Sequence, residues 1–174
     1  MKIRINMAEK VWLQIKMFGL FIYDRAKDND DWNEIIPRLF IGNCRTALDE
    51  TFLKKNNIGL IINCTKEIPY KTDFIKENGI KTIRIPVLDN EKQKEIENMG
   101  LFLPEVYKDM AKYYQENNDK NILVHCFAGK QRSAICASYF ISKFFNIKKD
   151  DAIEIVKNKR TGCFNPKINF YNSF

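Results

Sequence analysis

The segment from residue 121 to residue 145 constrains the fold of this chain more than any other. It opens with the apolar run Ile122, Leu123 and Val124, which is typical of a buried strand. Small and polar residues follow at 126–132, and positions 133–145 then carry apolar side chains at the spacing of a packed helix. A strand that leads through a tight loop directly into a helix is a building unit of α/β proteins.

The rest of the chain repeats this alternation. Apolar, β-branched runs bounded by Gly, Asn or Pro predict strands, and apolar residues near a 3.6-residue period predict helices. The predicted strands cover residues 35–42, 58–63, 81–86 and 121–125, and the predicted helices cover residues 47–57, 91–116, 133–145 and 149–159. We therefore predict an α/β fold with a central, mainly parallel sheet of about four to five strands flanked by helices.

The N-terminal region differs in character from the rest of the chain. Apolar residues recur at helical spacing from Met7 to Tyr23 and cover almost the whole circumference of a predicted helix. Lys10 and Lys16 interrupt the run, which is too short to cross a bilayer, and no signal-peptide cleavage site follows it. We predict a helical extension and linker over residues 1–30, an α/β domain over residues 31–174, and no membrane span.

Composition narrows the functional classes. The 174 residues are enough for one domain with a substantial core. The single histidine, His125, excludes metal sites that need two or three histidines. Five cysteines, odd in number and widely spaced, indicate a reduced, intracellular location. The net charge of +7 fits either solvated lysines or an anionic ligand.

The loop at 126–132 has the properties of a phosphate-binding site. Its amide hydrogens point inward where the backbone curls, and the start of the following helix adds partial positive charge. Arg132 closes the loop with a fork of donors that matches two phosphoryl oxygens. The same positive field favours the thiolate form of Cys126, which makes Cys126 the candidate nucleophile.

The joint pattern His-Cys-x-x-Gly-x-x-Arg-Ser, from His125 to Ser133, carries a resemblance to a known family. The stretch VHCFAGKQRS resembles the signature loop of the cysteine-based protein tyrosine phosphatases, and most of all the dual-specificity branch, whose loop commonly reads VHCxAGxxRS. The resemblance implies a protein tyrosine phosphatase-like fold and hydrolysis of phosphate monoesters through a cysteinyl-phosphate intermediate, without a metal or an organic cofactor. It also implies phosphate binding by the loop residues Phe127, Ala128, Gly129, Lys130, Gln131 and Arg132.

The chemistry further requires a general acid, because a departing phenolate or alkoxide needs a proton. In the dual-specificity family this acid is an Asp on a mobile loop after a strand that ends in Ile-Pro. Residues 85–90 read Ile-Pro-Val-Leu-Asp-Asn, so the resemblance makes Asp89 the candidate acid. The interval between Asp89 and Cys126 is slightly longer than is usual in the family.

Three residues have supporting roles in this interpretation. Ser133 is expected to hydrogen-bond the sulfur of Cys126 and to steady it as a leaving group. Because consecutive strand residues point to opposite faces, His125 should turn into the structure and hydrogen-bond the backbone behind the loop. Asn63 either resembles a family asparagine on a neighbouring strand that braces the loop or is an ordinary polar residue at a strand end.

The substrate class stays open between several members of the superfamily. The interval from Asn63 to Ile80 is too short for the long recognition loop of strict tyrosine phosphatases, which favours phosphoserine and phosphothreonine proteins as well as phosphotyrosine proteins. Lys130 stands where phosphoinositide phosphatases often carry a lysine, and RNA 5′-triphosphatases share the cysteine loop. A phospho-binding pseudophosphatase without turnover is a further alternative. Nucleic acid is not the favoured partner.

A small group of poxvirus-type dual-specificity phosphatases resembles the whole layout. In that group a short helix ahead of the catalytic domain exchanges between protomers. The segment from Met7 to Tyr23 is accordingly expected either to mediate a homodimer or to pack on its own domain. The expected location is cytoplasmic, with the virion as a second location if the protein is viral.

Overall fold

A five-stranded sheet lies at the centre of the computed structural model, which describes residues 30–90 and 92–174. The strands are β1 (Trp32–Ile36), β2 (Leu39–Gly42), β3 (Ile58–Asn63), β4 (Lys81–Arg84) and β5 (Asn121–His125). They stand in the order β1-β2-β5-β3-β4, and only β1 runs antiparallel to its neighbour. The mainly parallel sheet predicted from the sequence is confirmed.

Helices cover both faces of this sheet. They are α1 (Glu50–Lys55), α2 (Thr72–Glu77), α3 (Gln93–Glu116), α4 (Arg132–Phe145) and α5 (Lys149–Lys159), with short 3-10 turns at Thr46–Leu48 and Tyr171–Ser173. One face of the sheet packs against α3, α4 and α5, and the other against α1 and α2. In β5, Ile122 and Val124 belong to the first core and Leu123 to the second, and all three are fully buried. A strand covered on both faces is therefore apolar without interruption.

The three central strands end at the same level. Gly42 of β2 and Asn63 of β3 both pair with His125 of β5. Beyond the last pair, the N–H of Cys64 donates to the carbonyl of His125 at 2.8 Å. The loop after β5 thus leaves the sheet between the carboxyl ends of two neighbours, which is where α/β sheets bind their ligands.

Residues 32–42 form a hairpin rather than the single strand predicted over residues 35–42. Arg38 turns the chain with a φ of 66°, and its N–H donates to Glu34 Oε1 at 2.9 Å. Its guanidinium donates to the carbonyls of Tyr114 and Asn117 at 2.8 Å each, which fixes the turn on the end of α3. These distant contacts hold a backbone conformation that is uncommon for a residue with a side chain.

The segment predicted as one helix over residues 47–57 is a 3-10 turn followed by α1. Asp49 separates the two with an extended backbone, and its carboxylate accepts hydrogen bonds from the N–H groups of Thr51 (2.9 Å) and Phe52 (3.1 Å). This aspartate cap begins a new helix. The helix α2 has no counterpart in the prediction, because its buried residues Phe74 and Ile75 are adjacent and show no helical period.

The predicted N-terminal helix, from Met7 to Tyr23, lies outside the described residues. Among the helices in residues 30–90 and 92–174, none is both long enough and apolar enough to cross a membrane.

Candidate active site

The loop between β5 and α4 is held in place by its carbonyl groups. Three of them accept hydrogen bonds from the surrounding structure, and a fourth accepts one from the first turn of α4. The pairs are Cys44 N with Phe127 O (3.0 Å), Arg160 Nε with Gly129 O (2.8 Å), Phe164 N with Lys130 O (3.0 Å) and Ile135 N with Gln131 O (2.9 Å). The N–H and C=O of a trans peptide point in opposite directions. The N–H groups that follow these carbonyls therefore face the inside of the loop, as an anion cradle requires.

Gly129 is the one loop position at which the backbone excludes a side chain. Its φ of 68° lies in the left-handed region, and a Cβ there would stand 2.7 Å from the carbonyl oxygen of Gly42 and 3.0 Å from a guanidinium nitrogen of Arg160. Glycine is thus required both for the turn and for the close approach of the loop to β2.

Cys126 begins this loop, and its side chain is buried. The hydroxyl of Ser133, in the first turn of α4, lies 3.2 Å from the sulfur of Cys126. This is the contact predicted from the sequence. A hydroxyl at this distance can donate a hydrogen bond to the sulfur and stabilise negative charge on it.

Arg132 stands at the other end of the loop with only 1% of its side chain exposed. Its Nη1 donates to the carbonyl of Val87 at 3.0 Å and lies 3.6 Å from Glu67 Oε1, while Nη2 lies 3.6 Å from Asp89 Oδ2. Nε is buried and has no partner among the described residues. Burial acts to lower the pKa of Arg132, but the neighbouring Cys126, Asp89 and Glu67 raise it overall, so the guanidinium stays charged.

Asp89 lies beside the cysteine loop (residues 126–132), on the segment that links β4 to α3. Its carboxylate faces Arg132, and 34% of its side chain is exposed to solvent. The nearest tether is at Leu88, whose N–H donates to Glu95 Oε2 of α3 at 2.9 Å. The structure therefore brings the predicted acid, the predicted nucleophile and the predicted phosphate-binding arginine to one end of the sheet.

His125 turns into the structure as predicted, and 1% of its surface is exposed. Neither ring nitrogen makes a hydrogen bond of good geometry within the described residues, although the backbone of Cys126 lies close enough to act on the ring as a hydrogen-bond partner, so the predicted backbone hydrogen bond stays a prediction. Burial lowers the pKa of His125 to about 3; the contact with the Cys126 backbone opposes this shift, and the charges of Arg84 and Arg132 add to it. The imidazole is therefore neutral at physiological pH, and it is the backbone carbonyl of His125 that binds β3.

Asn63 supports a different segment from the one predicted. Its Nδ2 donates to the carbonyl of Ile68 at 3.0 Å, and its Oδ1 accepts hydrogen bonds from the N–H (3.0 Å) and the hydroxyl (2.7 Å) of Thr65. These contacts fit a polar residue at the end of a strand, and the prediction that Asn63 also braces the cysteine loop stays a prediction. The side chain folds back on its own turn, residues 65–68, because these nearby groups satisfy both ends of its amide.

The outer wall of the cysteine loop comes from the segment after α5. Gln131 Nε2 donates to the carbonyl of Lys167 at 2.8 Å, and Gln131 Oε1 accepts from the N–H of Asn169 at 3.1 Å. Arg160, besides binding Gly129, donates through Nη1 to Asn33 Oδ1 at 2.5 Å. Sequence reasoning did not assign these roles, because each joins residues that are far apart in the chain.

The remaining cysteines take no visible part in the chemistry. All five cysteines are free thiols. Burial raises the pKa of Cys44 and of Cys163 to about 12, and raises that of Cys64 well above its ordinary value, so these three stay protonated. Within residues 30–90 and 92–174, no group of three His, Cys, Asp or Glu side chains is placed to hold a metal ion.

The sequence model of the family described as "Dual specificity phosphatase, catalytic domain" matches residues 39–174. The chain belongs to the dual specificity phosphatase family. Human dual specificity protein phosphatase 16 is 33% identical to it over 136 residues, which make up 78% of this chain and 19% of that protein. The tyrosine-protein phosphatase vhp-1 of Caenorhabditis elegans is 32% identical over 136 residues, with the same shares of each chain. The chain thus spans about a fifth of the length of these two relatives.

Solved structures of dual specificity phosphatases share the fold. Human DUSP28 superposes with a TM-score of 0.68 at 21% sequence identity, covering 83% of this chain and 90% of that one. The human tyrosine phosphatase-like serine/threonine/tyrosine-interacting protein gives a TM-score of 0.67 at 26% identity, covering 82% and 91%. The predicted protein tyrosine phosphatase-like fold is confirmed by these likenesses.

Proposed function

We propose that this chain is a protein phosphatase that hydrolyses phosphate monoesters on phosphotyrosine and on phosphoserine and phosphothreonine. One observation carries the proposal. The thiol of Cys126 lies at the start of a loop whose N–H groups face inward, and Arg132 and a carboxylate, that of Asp89, stand over the same loop. This combination supplies a nucleophile, an oxyanion cradle and a proton donor in one place.

In the first step, the thiolate of Cys126 attacks the phosphorus of the bound ester. A sulfur–phosphorus bond forms while the bond between phosphorus and the ester oxygen breaks. Asp89, in its acid form, gives its proton to the departing oxygen and so leaves a neutral alcohol or phenol. The inward N–H groups and Arg132 stabilise the charge on the three transferring oxygens.

In the second step, water releases the phosphate. The carboxylate of Asp89, formed in the first step, now takes a proton from the attacking water. As the sulfur–phosphorus bond breaks, the hydroxyl of Ser133 donates to the sulfur at the 3.2 Å contact and stabilises the returning thiolate. Inorganic phosphate leaves, and Asp89 is again protonated for the next cycle.

Phosphorylated protein is the substrate class that we favour over the alternatives. The matching family and both relatives named above are protein phosphatases by name, which supports a protein substrate. Phosphoinositide and RNA 5′-triphosphate find no support in those names, and binding without turnover is suggested only by the name of the phosphatase-like interacting protein that shares the fold. A panel of phosphopeptides, soluble inositol phosphates and triphosphorylated RNA separates these classes, and faster turnover of either non-protein substrate contradicts the assignment.

Hydrolysis of a small aryl phosphate tests the chemistry without assuming the protein substrate. Replacement Cys126→Ser is expected to lower kcat by about 10⁴-fold or more, because the hydroxyl is a far weaker nucleophile in this loop. Cys136→Ser, a buried cysteine of α4, is the matched control and should keep most of the activity. Equal activity in Cys126→Ser and the wild type excludes the mechanism.

The arrangement of the whole chain is also a proposal. We assign residues 31–174 to the catalytic domain and residues 1–30 to an extension whose segment Met7 to Tyr23 joins two copies into a homodimer. The free thiols fit a reducing, cytoplasmic location. Light scattering of the full chain and of a chain without residues 1–29 tests the dimer, and a monomeric full chain contradicts it.

A further inference from the structure

The turn after β3 is locked by side chains from two strands. Besides the three hydrogen bonds of Asn63, the guanidinium of Arg84 donates to the carbonyls of Thr65 (2.7 Å) and Ile68 (2.8 Å). The hydroxyl of Thr65 also accepts from the N–H of Ile68 at 3.0 Å. So many bonds within residues 65–68 leave the turn little freedom. Glu67 lies inside this fixed turn.

The carboxylate of Glu67 points from the turn toward the catalytic arginine. Its Oε2 accepts from the N–H of Lys66 at 3.1 Å, and its Oε1 lies 3.6 Å from Arg132 Nη1. Only 25% of the Glu67 side chain is exposed. The carboxylate is therefore oriented by the backbone and partly shielded from water, where an ion pair is stronger than on an open surface.

The contacts of Arg132 divide its guanidinium into two sides. Nη1 is directed to the protein, toward Val87 and Glu67, whereas Nε is buried and has no partner among the described residues. A guanidinium binds a phosphoryl group through two parallel N–H donors on one edge. Nη2 lies 3.6 Å from Asp89 Oδ2, the proposed acid, so with Nη1 held on the protein side the edge formed by Nε and Nη2 is the one that faces the phosphate and the acid together.

We propose that Glu67 is a positioning residue for Arg132, which it holds with the Nε edge turned toward the transferring phosphoryl group. Asn63 and Arg84 serve the same purpose indirectly, because they fix the turn that presents Glu67. This inference rests on the proposed function, since it assigns a role within phosphoryl transfer.

The negative charge of Glu67 also repels a bound anion. This repulsion weakens anion binding, whereas the positioning of Arg132 strengthens it, and the two effects can be measured separately. A carboxylate near an anion site repels every anion, so its removal alone should tighten the binding of phosphate and vanadate alike. Loss of the Arg132 orientation should instead weaken the complex whose binding depends most on the direction of the Arg132 donors. Vanadate bound to the thiol imitates the five-coordinate transition state, whereas inorganic phosphate imitates the ground state. The two inhibitors therefore report the two effects separately.

The test compares Glu67→Ala and Glu67→Gln with the wild-type full chain. For Glu67→Ala we expect kcat on an aryl phosphate to fall about tenfold and the vanadate inhibition constant to rise about tenfold, while the phosphate constant changes less than about threefold. Glu67→Gln keeps an oxygen acceptor beside Nη1 and should recover kcat to within about threefold of wild type. Glu50→Ala, which removes an exposed carboxylate paired with Lys71, is the matched control and should change none of these values.

Two results overturn the inference. One is unchanged kcat and vanadate inhibition in Glu67→Ala, and the other is tighter binding of both anions, which would make Glu67 only a negative charge near the site. Calorimetric titration with vanadate and phosphate gives the same ratio of affinities without turnover. If the wild-type chain hydrolyses no phosphate ester, the proposed function fails, while that ratio still supports or overturns the role of Glu67.

Discussion

The two loops that build the site are held in different ways. The cysteine loop is anchored through four carbonyls and through the side chain of Gln131, and its ends, Cys126 and Arg132, are buried. The acid loop carries Asp89 with 34% of its side chain exposed, and its described residues are held by fewer bonds, from Leu88 N–H to Glu95 and from Arg132 to the Val87 carbonyl. An anion cradle works only if its donors are fixed before the reaction, whereas a proton donor must also let substrate enter. The difference in anchoring therefore matches the division of tasks.

Among the tests that compare the two loops, the largest effect is expected when the leaving group of the ester is varied. Asp89→Asn should lower kcat/KM, which reports the first step alone, by about 100-fold on phenyl phosphate, whose leaving oxygen needs a proton. On an ester with a strongly acidic phenol the kcat/KM of the same variant should fall less than about tenfold, because that phenolate departs unaided. Steady-state kinetics over a series of aryl phosphates measures the trend.

An equal loss on every ester in this series contradicts the role of Asp89 as acid. Arg132→Lys serves as the control from the fixed loop, since it disturbs phosphoryl binding and should reduce the rate by a similar factor whatever the leaving group.

The second prediction concerns the free energy of unfolding and its dependence on His125, which is buried next to the cysteine loop. His125 is the only histidine of the chain, and burial lowers its pKa to about 3. As the pH falls below the ordinary value of about 6.5, the unfolded chain binds a proton that the native chain does not, so the free energy of unfolding decreases by about 1.4 kcal/mol per pH unit. Between pH 7 and pH 5 the loss should be about 2 kcal/mol, and it ends where the native histidine also titrates.

Urea unfolding of the wild type and of His125→Asn at these two pH values measures this loss. The variant cannot take up the proton, so its free energy of unfolding should change little over the interval. A wild-type chain as insensitive to pH as His125→Asn would show that the imidazole is not held neutral.

The smallest expected effect concerns the tether of the acid loop. Glu95→Ala removes the acceptor of the Leu88 N–H and should lower kcat on phenyl phosphate about threefold, since a looser loop holds Asp89 less often over the phosphate. Glu95→Gln keeps an acceptor oxygen and is the control. No difference between these two variants would mean that the contact does not hold the acid in place.

Strong local patterns explain which parts of the fold were predictable. The strand β5 and the helices α4 and α5 were found because burial on the sheet and on one helix face leaves a period in the sequence. The hairpin was missed because Arg38 adopts its positive φ through contacts with α3, far along the chain. The helix α2 was missed because its two buried residues, Phe74 and Ile75, are adjacent and show no helical period.

The residues of the site also differ in whether a local sequence pattern predicts them. Cys126 and Arg132 lie within one short motif, so their proximity could be predicted from spacing, and the family resemblance added the contact of Ser133 with the sulfur. Glu67 had no such signal, because it follows β3 whereas its partner Arg132 follows β5, far along the chain. Only the fold brings Glu67 Oε1 to 3.6 Å from Arg132 Nη1. Asn63 shows the converse, since a resemblance identified the residue as a brace but its contacts lie on its own turn.

Direct detection of the covalent intermediate is the most decisive measurement. Asp89→Asn should form it from an ester with a strongly acidic phenol but break it down slowly, because the base of the second step is missing. Rapid quenching followed by mass spectrometry of the peptide that contains Cys126 should show one added phosphoryl group on that cysteine, and none in Cys126→Ser. Turnover of the ester without phosphorylation of Cys126, or with the phosphoryl group on another residue, would contradict the account.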